Sequence, residues 1–364
     1  MKGRHNFSAG PGALPESVLR EAQQAIAEVP EVGVSVLGIS HRSRWFREVV
    51  EEAEEHLRVL LGIPAQYRVL FLQGGSTQQF SQIPMTLLRG AAHPAEYLHT
   101  GYWSGKSIPE ARREGPVRVL WSGEADGFRR LPTDPELETS AEATYFHYVS
   151  NETVEGLQFH RVPGRDEVRR ICDMSSDLLG APVDVGRYDL IYAHAQKNLG
   201  PSGVTVVIVR DEVVAATPKD LPAMLDYRLH AEARSVYNTP PVFAIFVTLL
   251  VLRWLRSEIG GLDAMALINR RKAERLYGTL DGLKGVCRVR AAEPDRSRMN
   301  AVFDFAEPRL TPVFLREAEQ AGLLGLEGHR TLPDTVRVSL YNAVTEASVD
   351  ALAGFLQDFA RKNG

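Results

Sequence analysis

The residues best suited to chemistry lie at 188–210, YDLIYAHAQKNLGPSGVTVVIVR. An apolar strand ends there in Ala195, Gln196, Lys197 and Asn198. Gly200, Pro201 and Gly203 turn the chain, and a second apolar strand follows. Lys197 is thereby set at a strand end, where open α/β sheets bind ligands. A lysine amine removed from water loses part of its charge and becomes a nucleophile toward an aldehyde. The plain alternative is a solvated loop lysine, and Asp173 weighs against it. Asp173 ends another apolar strand, in RRICDMSS, 24 residues before Lys197. A carboxylate at a neighbouring strand end can pair with a pyridinium nitrogen and keep it protonated, which makes the ring an electron sink. The alternative for Asp173 is a turn or cap aspartate, which Ser175 and Ser176 also invite.

Further groups sit just past strands. GGSTQQF at 74–80 follows an apolar strand and opens a helix. Its glycines let backbone approach a phosphate, the helix start offers free N–H groups, and Ser76 and Thr77 add hydroxyls. It is neither a Gly-Lys-Ser/Thr phosphate loop nor GxGxxG. Trp103, in TGYWSGK, can stack on a flat ring or simply pack in a core. Thr153 can donate to a ring oxygen.

These residues need a scaffold, and the pattern supplies one. Pro15 opens a helix with Val18, Leu19, Ala22, Ile26 and Val29 on one stripe. A second helix, 43–61, ends at Gly62 and Pro64. Strands follow at 68–72, 96–99, 117–121, 144–149, 170–174, 189–193 and 204–209, with helices at 76–88 and 104–113 among them. That alternation predicts an α/β fold with a mainly parallel seven-stranded sheet. Amphipathic stretches at 240–258 and 262–283 lead into strands at 286–290, 299–305 and 336–340 and helices at 311–321 and 346–360. This second texture predicts a smaller α+β C-terminal domain. The expected division is 16–258 for the large domain and 259–364 for the small one, with segment 1–15 joining the latter.

Bulk properties exclude several classes. The chain has 364 residues, 24% of them charged, and a formal net charge of -4, so no global basic field draws in nucleic acid or anionic membrane. The longest apolar run, 242–252, is well short of the ~20 residues of a membrane span. No apolar leader is visible at the N-terminus. Two cysteines, Cys172 and Cys287, make neither a disulfide framework nor a CxxC metal or redox site. No metal is expected, and a reducing cytoplasmic setting is.

Together the motifs resemble the phosphoserine aminotransferase family, within the class V aminotransferases of pyridoxal-phosphate (PLP) fold type I. The resemblance spans FSAGPGALPE, ISHRS at 39–43, VLFLQGGSTQQF, TGYWS, NETVEG at 151–156, DMSSD, AQKNLGPSG, YNTPP at 237–241, GHR at 328–330 and SLYNA. It implies pyridoxal 5'-phosphate carried by Lys197, paired with Asp173, stacked by Trp103 and hydrogen-bonded by Thr153 and Gln196. Ser76 and Thr77 would hold its phosphate, helped by Asn238 and Thr239 from the partner in a homodimer. The implied reaction moves an amino group between glutamate and 3-phosphohydroxypyruvate in serine biosynthesis, with phosphohydroxythreonine of vitamin B6 synthesis a further candidate. Such a substrate carries two anionic ends, and arginine forks suit both. The resemblance places His41, Arg42, His329 and Arg330 at the phosphate or glutamate's distal carboxylate, and Arg337 at the α-carboxylate. Three departures stand out. Thr77 replaces an arginine of some members, His194 replaces a small residue, and the 331–336 segment lacks a Gly-Gly-Met and is one residue longer. Alternatives are another class V aminotransferase using glyoxylate or pyruvate, a PLP lyase or desulfurase, and a non-catalytic module.

Overall fold

The computed structural model describes residues 3–363. A seven-stranded sheet occupies its centre. In spatial order the strands are Tyr67–Leu72, Thr205–Arg210, Leu190–His194, Arg170–Asp173, Phe146–Val149, Ala95–His99 and Val117–Ser122. Four of the six neighbouring pairs are parallel, and the two that involve Thr205–Arg210 are antiparallel. The sheet is therefore mixed but mainly parallel. Its reversed strand follows from its connection, because the short turn after Leu190–His194 can only return the chain antiparallel.

Alternate side chains of the central strands enter two separate cores. Ile191, Ala193, Val206 and Ile208 face the helices Glu16–Ala27, Arg44–Leu61 and Val242–Trp254. Leu190, Tyr192, Val207 and Val209 face Gly75–Leu87 and Tyr102–Arg112. With both faces covered, the strands read as continuous apolar runs. The helix Val242–Trp254 is buried on nearly every side and runs on as a π turn, Leu255–Ile259. Ser43 Oγ accepts the Phe46 N–H at 3.1 Å to start Arg44–Leu61, and left-handed Gly62 stops it. Such a cap contributes about 1 kcal/mol, and this one fixes the helix entry just after His41 and Arg42.

The first helix corrects the expected stripe. Val18, Ala22 and Ala25 are buried, whereas Leu19 is 49% and Ile26 43% exposed. The small Ala22 and Ala25 side chains let this helix lie close on Val242–Trp254, which turns the larger residues outward.

A second body holds a three-stranded antiparallel sheet, Cys287–Val289, Asn300–Phe305 and Thr335–Ser339. The helices Leu262–Gly282, Leu310–Gln320 and Glu346–Asn363 cover it. Near the N-terminus, His5–Asn6 pairs in parallel with Leu323–Leu324, and Phe7 is fully buried in this second core. On this packing we propose the division at 258/259, with segment 1–15 counted with the smaller body; Met1 and Lys2 lie outside the described residues. Lys272, 1% exposed, donates to the carbonyls of Leu340, Tyr341 and Val344 at 2.9 Å each. Burial pushes its pKa down to about 7. The three acceptors oppose that shift, since a neutral amine has only two N–H groups to offer. The turn Lys272 fixes carries Asn342, whose N–H donates to Asn198 Oδ1 at 3.0 Å, so the small body is tied to the lysine segment. Among the described residues no helix is long and apolar enough to cross a membrane, and no three His, Cys, Asp or Glu side chains gather as a metal site.

Candidate active site

Lys197 leaves the strand Leu190–His194 through a tight turn, in which the Gly200 N–H donates to Ala195 O at 2.7 Å. The N-terminal segment crosses directly over it. The Gly12 N–H donates to Gln196 O at 2.7 Å, and a Cβ on Gly12 would meet the Tyr341 ring at 2.7 Å. Only a glycine passes there without displacing that ring. Lys197 is left 7% exposed, its Nζ donating to Thr153 Oγ1 at 2.6 Å. The amine also lies 5.8 Å from the centroid of the Trp103 ring.

Desolvation is the main reason that the Lys197 pKa falls to about 8. Asp173, Glu152 and Asp177 oppose the fall and Arg337 adds to it. The consequence is testable with the cofactor-free protein. Protonated below its pKa, the amine should add to an aromatic aldehyde about tenfold more slowly for each pH unit below 8 and reach a plateau above it. Borohydride trapping at residue 197 across pH 6–10 would measure this. A rate still climbing at pH 10 would mean an ordinary solvated lysine.

Asp173 ends the adjacent parallel strand and is 4% exposed. Its Oδ1 accepts from the Ser175 N–H at 2.9 Å and the Ser175 hydroxyl at 2.5 Å. The turn role that competed with the functional one is thus real, and it occupies one oxygen. Burial raises the Asp173 pKa, and the Ser175 bonds and the Lys197 charge hold it down. Ser175 Oγ in turn lies 2.6 Å from Ser76 Oγ. With the His194 N–H donating to Ser175 Oγ at 3.2 Å, this chain of contacts joins the two strand ends to the start of the helix Gly75–Leu87. Gly74 and Gly75 have φ of +87° and +71°, and no side chain caps that helix. Its first N–H groups are therefore available to an anion. Thr77 is exposed there. His194 does not intrude, because its Nδ1 is tied to Thr205 Oγ1 at 2.9 Å.

Trp103 is held by a residue that sequence reasoning missed. Glu152, fully buried, accepts the backbone N–H of Trp103 at 3.1 Å and of Ser104 at 3.0 Å, and the Thr100 hydroxyl at 3.2 Å. Glu152 and Thr153 belong to a small hairpin, Asn151–Glu152 paired with Leu157–Gln158. The sequence carried one sign of it: two acids and a glycine packed into NETVEG.

On the substrate side the chain brings together some residues and not others. Arg337 is in the strand Thr335–Ser339, and its Nε is buried with no hydrogen-bond partner. Burial lowers the His329 pKa, and the neighbouring Arg337 and Arg330 cations lower it further. Arg337 and Arg330 thus stand near enough to act on His329, and the Arg337 cation also acts on Lys197. The 331–336 segment forms a closed turn without its glycines: the Leu332 N–H donates to His329 O at 2.7 Å, and Thr335 Oγ1 donates to Leu332 O at 2.8 Å. Among the described residues no hydrogen bond links His41 or Arg42 to Arg337, His329 or Arg330; they sit in a turn where His41 is half-buried, Arg42 is exposed and Arg42 O accepts from Arg47 Nη1. Asn238 and exposed Thr239 are linked to the glycine turn of the same chain through Gln73, which donates to Thr239 O at 3.2 Å.

Pyridoxal phosphate fits this donor set. The uncapped helix start matches its phosphate, Asp173 its ring nitrogen, Trp103 its ring face and Lys197 its aldehyde. The buried, unpartnered Gln196 Oε1 is one more polar atom awaiting a donor. Cys172 and Cys287 are both buried, with thiol pKa values raised by burial, so neither can serve as the mobile cysteine of a desulfurase.

Known proteins resemble this chain over its whole length. The phosphoserine aminotransferase of Laribacter hongkongensis (strain HLHK9) is 47% identical over 360 residues, 99% of each chain. That of Azotobacter vinelandii is 46% identical over 363 residues, 100% of this chain and 99% of the relative. The solved phosphoserine aminotransferase of Bacillus circulans subsp. alkalophilus superposes with a TM-score of 0.96 at 43% identity, covering all of both chains. Another solved phosphoserine aminotransferase, described for radiation damage of its Schiff base, gives a TM-score of 0.96 at 39% identity, again over all of both chains. Residues 4–352 match the model of the aminotransferase class-V family, and the chain belongs to that family.

Proposed function

We infer that this protein is a phosphoserine transaminase. It moves an amino group reversibly between glutamate and 3-phosphohydroxypyruvate, giving 2-oxoglutarate and O-phosphoserine, and so serves serine biosynthesis. The observation that carries the reading is the buried Lys197 amine, its pKa lowered to about 8, beside Asp173 and the Trp103 ring. The full-length likeness to phosphoserine aminotransferases supports the substrate class.

Lys197 would bind pyridoxal 5'-phosphate, with Ser76, Thr77 and the free N–H groups of the helix start at its phosphate. Asp173 would hold the ring nitrogen, and Trp103, Thr153 and Gln196 would contact the ring. When bound, that cofactor supplies an electron sink that acidifies the substrate's α-proton. Lys197 Nζ would take and return the substrate's α-proton, a role that suits an amine with pKa near the working pH. Thr153 Oγ1 keeps the amine aimed, and the N-terminal segment above it excludes water. Arg337 binds the α-carboxylate, while His329 and Arg330 bind the distal anion.

The exposure of Arg42 and Thr239 fits a homodimer in which each copy completes the other's site. Asn238 and Thr239 would reach the cofactor phosphate of the partner, and His41 and Arg42 the substrate's distal anion. A cytoplasmic location and activity on phosphohydroxythreonine suit the same chemistry.

Single-turnover conversion of the glutamate-treated enzyme by different keto acids tests the reading. Phosphohydroxypyruvate should be used at least about 100-fold better than glyoxylate or pyruvate, because a site built for a second anion loses much when that anion is missing. Equal use of all three would reject it.

A further inference from the structure

Tyr102 touches both members of the 329–330 pair. Its ring centroid lies 4.5 Å from the His329 ring, and its hydroxyl accepts from Arg330 Nη2 at 3.0 Å. His329 Nδ1 is meanwhile engaged with Thr331 Oγ1 at 2.7 Å, which turns Nε2 outward. One guanidinium edge and one imidazole nitrogen are thus oriented together by a single side chain.

Tyr102 is itself fixed from behind. It is the first residue of the helix Tyr102–Arg112, and Gly101 before it has no side chain to cap with. Glu155, 6% exposed, accepts the Tyr102 N–H on Oε1 at 3.0 Å, next to the Glu152 bonds that hold Trp103 and Ser104. A Cβ on Gly101 would run into Glu155 Oε2 and the Glu152 carboxyl carbon, so the two carboxyl groups fill the space that a capping side chain would need. The hairpin that carries them also carries Thr153, the partner of Lys197. The anchoring of Tyr102 therefore shares its foundation with the Trp103 ring and the lysine.

We propose that Tyr102 is a specificity-determining residue that holds His329 and Arg330 as one preformed clamp for the distal anion of the substrate. This rests on the transaminase reading above. A guanidinium on a long side chain samples many rotamers, and fixing it beforehand removes that ordering cost from binding. The benefit reaches only acids with a second anionic end. Phosphohydroxypyruvate and glutamate gain from it, whereas hydroxypyruvate and alanine do not.

The test uses the cofactor-loaded enzyme carrying Tyr102→Phe, which keeps the ring beneath His329 and deletes the hydroxyl. Single-turnover titrations with phosphohydroxypyruvate should show a dissociation constant raised about 10-fold, the effect of one hydrogen bond to a charged group. The rate constant at saturation should change less than about twofold, and so should the constants for hydroxypyruvate. Tyr102→Ala should weaken the phosphorylated acid further. The visible circular dichroism of the bound cofactor, which reports on Trp103, should stay the same in Tyr102→Phe. Equal weakening for both acids, an altered dichroism band, or no weakening at all would each overturn the proposal. A failure of the phosphoserine reading looks different, because the unsubstituted enzyme would then show no preference for the phosphorylated acid. In that case glutamate and alanine decide: loss of glutamate affinity alone in Tyr102→Phe upholds the clamp, and unchanged glutamate affinity removes it.

Discussion

Lys197→Ala should yield a folded protein that lacks the visible band of lysine-bound cofactor and turns over about 10^4-fold or more slowly. Two roles disappear together. The covalent attachment point is lost, and so is the base that moves the α-proton, a contribution of about 10^2–10^4-fold by itself. The fold should survive, because the side chain makes a single hydrogen bond, to Thr153, and its removal relieves a desolvated amine. The cofactor would still find the helix start and Asp173, but dialysis should strip it. A small added amine such as methylamine should restore a fraction of the proton transfer, since the cavity left by the lysine side chain opens beside Thr153 and Trp103. Absorbance before and after dialysis, single-turnover rates and amine rescue measure these effects. A visible band that persists through dialysis would place the attachment elsewhere and remove Lys197 from its role.

Much of this site is visible in the sequence because its key groups sit at strand ends. Lys197 and Asp173 each follow a run of apolar residues, and such runs fix both the strand and where it stops. The helix Arg44–Leu61 is equally legible, since its serine cap and terminal glycine act within a few residues. What remained hidden depends on distant partners. Nothing local to residues 5–6 announces that 323–324 will pair with them. The stripe of the first helix was ambiguous because Val18, Ala22 and Ala25 and the pair Leu19 and Ile26 both obey helical spacing, and only the packing of Val242–Trp254 chooses between them. Glu152 is hard to read for a similar reason: it lies in a hairpin, and its partners Ser104 and Trp103 are 48 and 49 residues away, on a helix. Strand direction was recoverable, however. The turn at 195–203 is too short for a crossover, and that alone makes Thr205–Arg210 antiparallel to its predecessor.

Asp173→Asn separates chemistry from architecture at the second strand end. Asparagine keeps an Oδ1 that can accept from the Ser175 N–H and hydroxyl, so the turn and its link to Ser76 should persist. The negative charge is lost. Without it the pyridinium proton is no longer held, the electron sink weakens, and turnover should fall about 10^2–10^3-fold, the scale of removing one preorganised electrostatic contact. A second readout should move independently. The Asp173 carboxylate is the largest influence that keeps Lys197 protonated against desolvation. Deleting that charge disfavours the ammonium, so the midpoint for aldehyde capture by Lys197 should move below about 8. The variant would thus hold a more readily freed amine and yet be a poorer catalyst, a combination that general destabilisation does not produce. Asp173→Ala, which also loses the turn, should add a drop in thermal stability that Asp173→Asn lacks. Turnover within tenfold of the parent, or a capture midpoint that moves up, would dissolve the pairing of Asp173 with the ring nitrogen. The carboxylate would then be left with only its turn at Ser175.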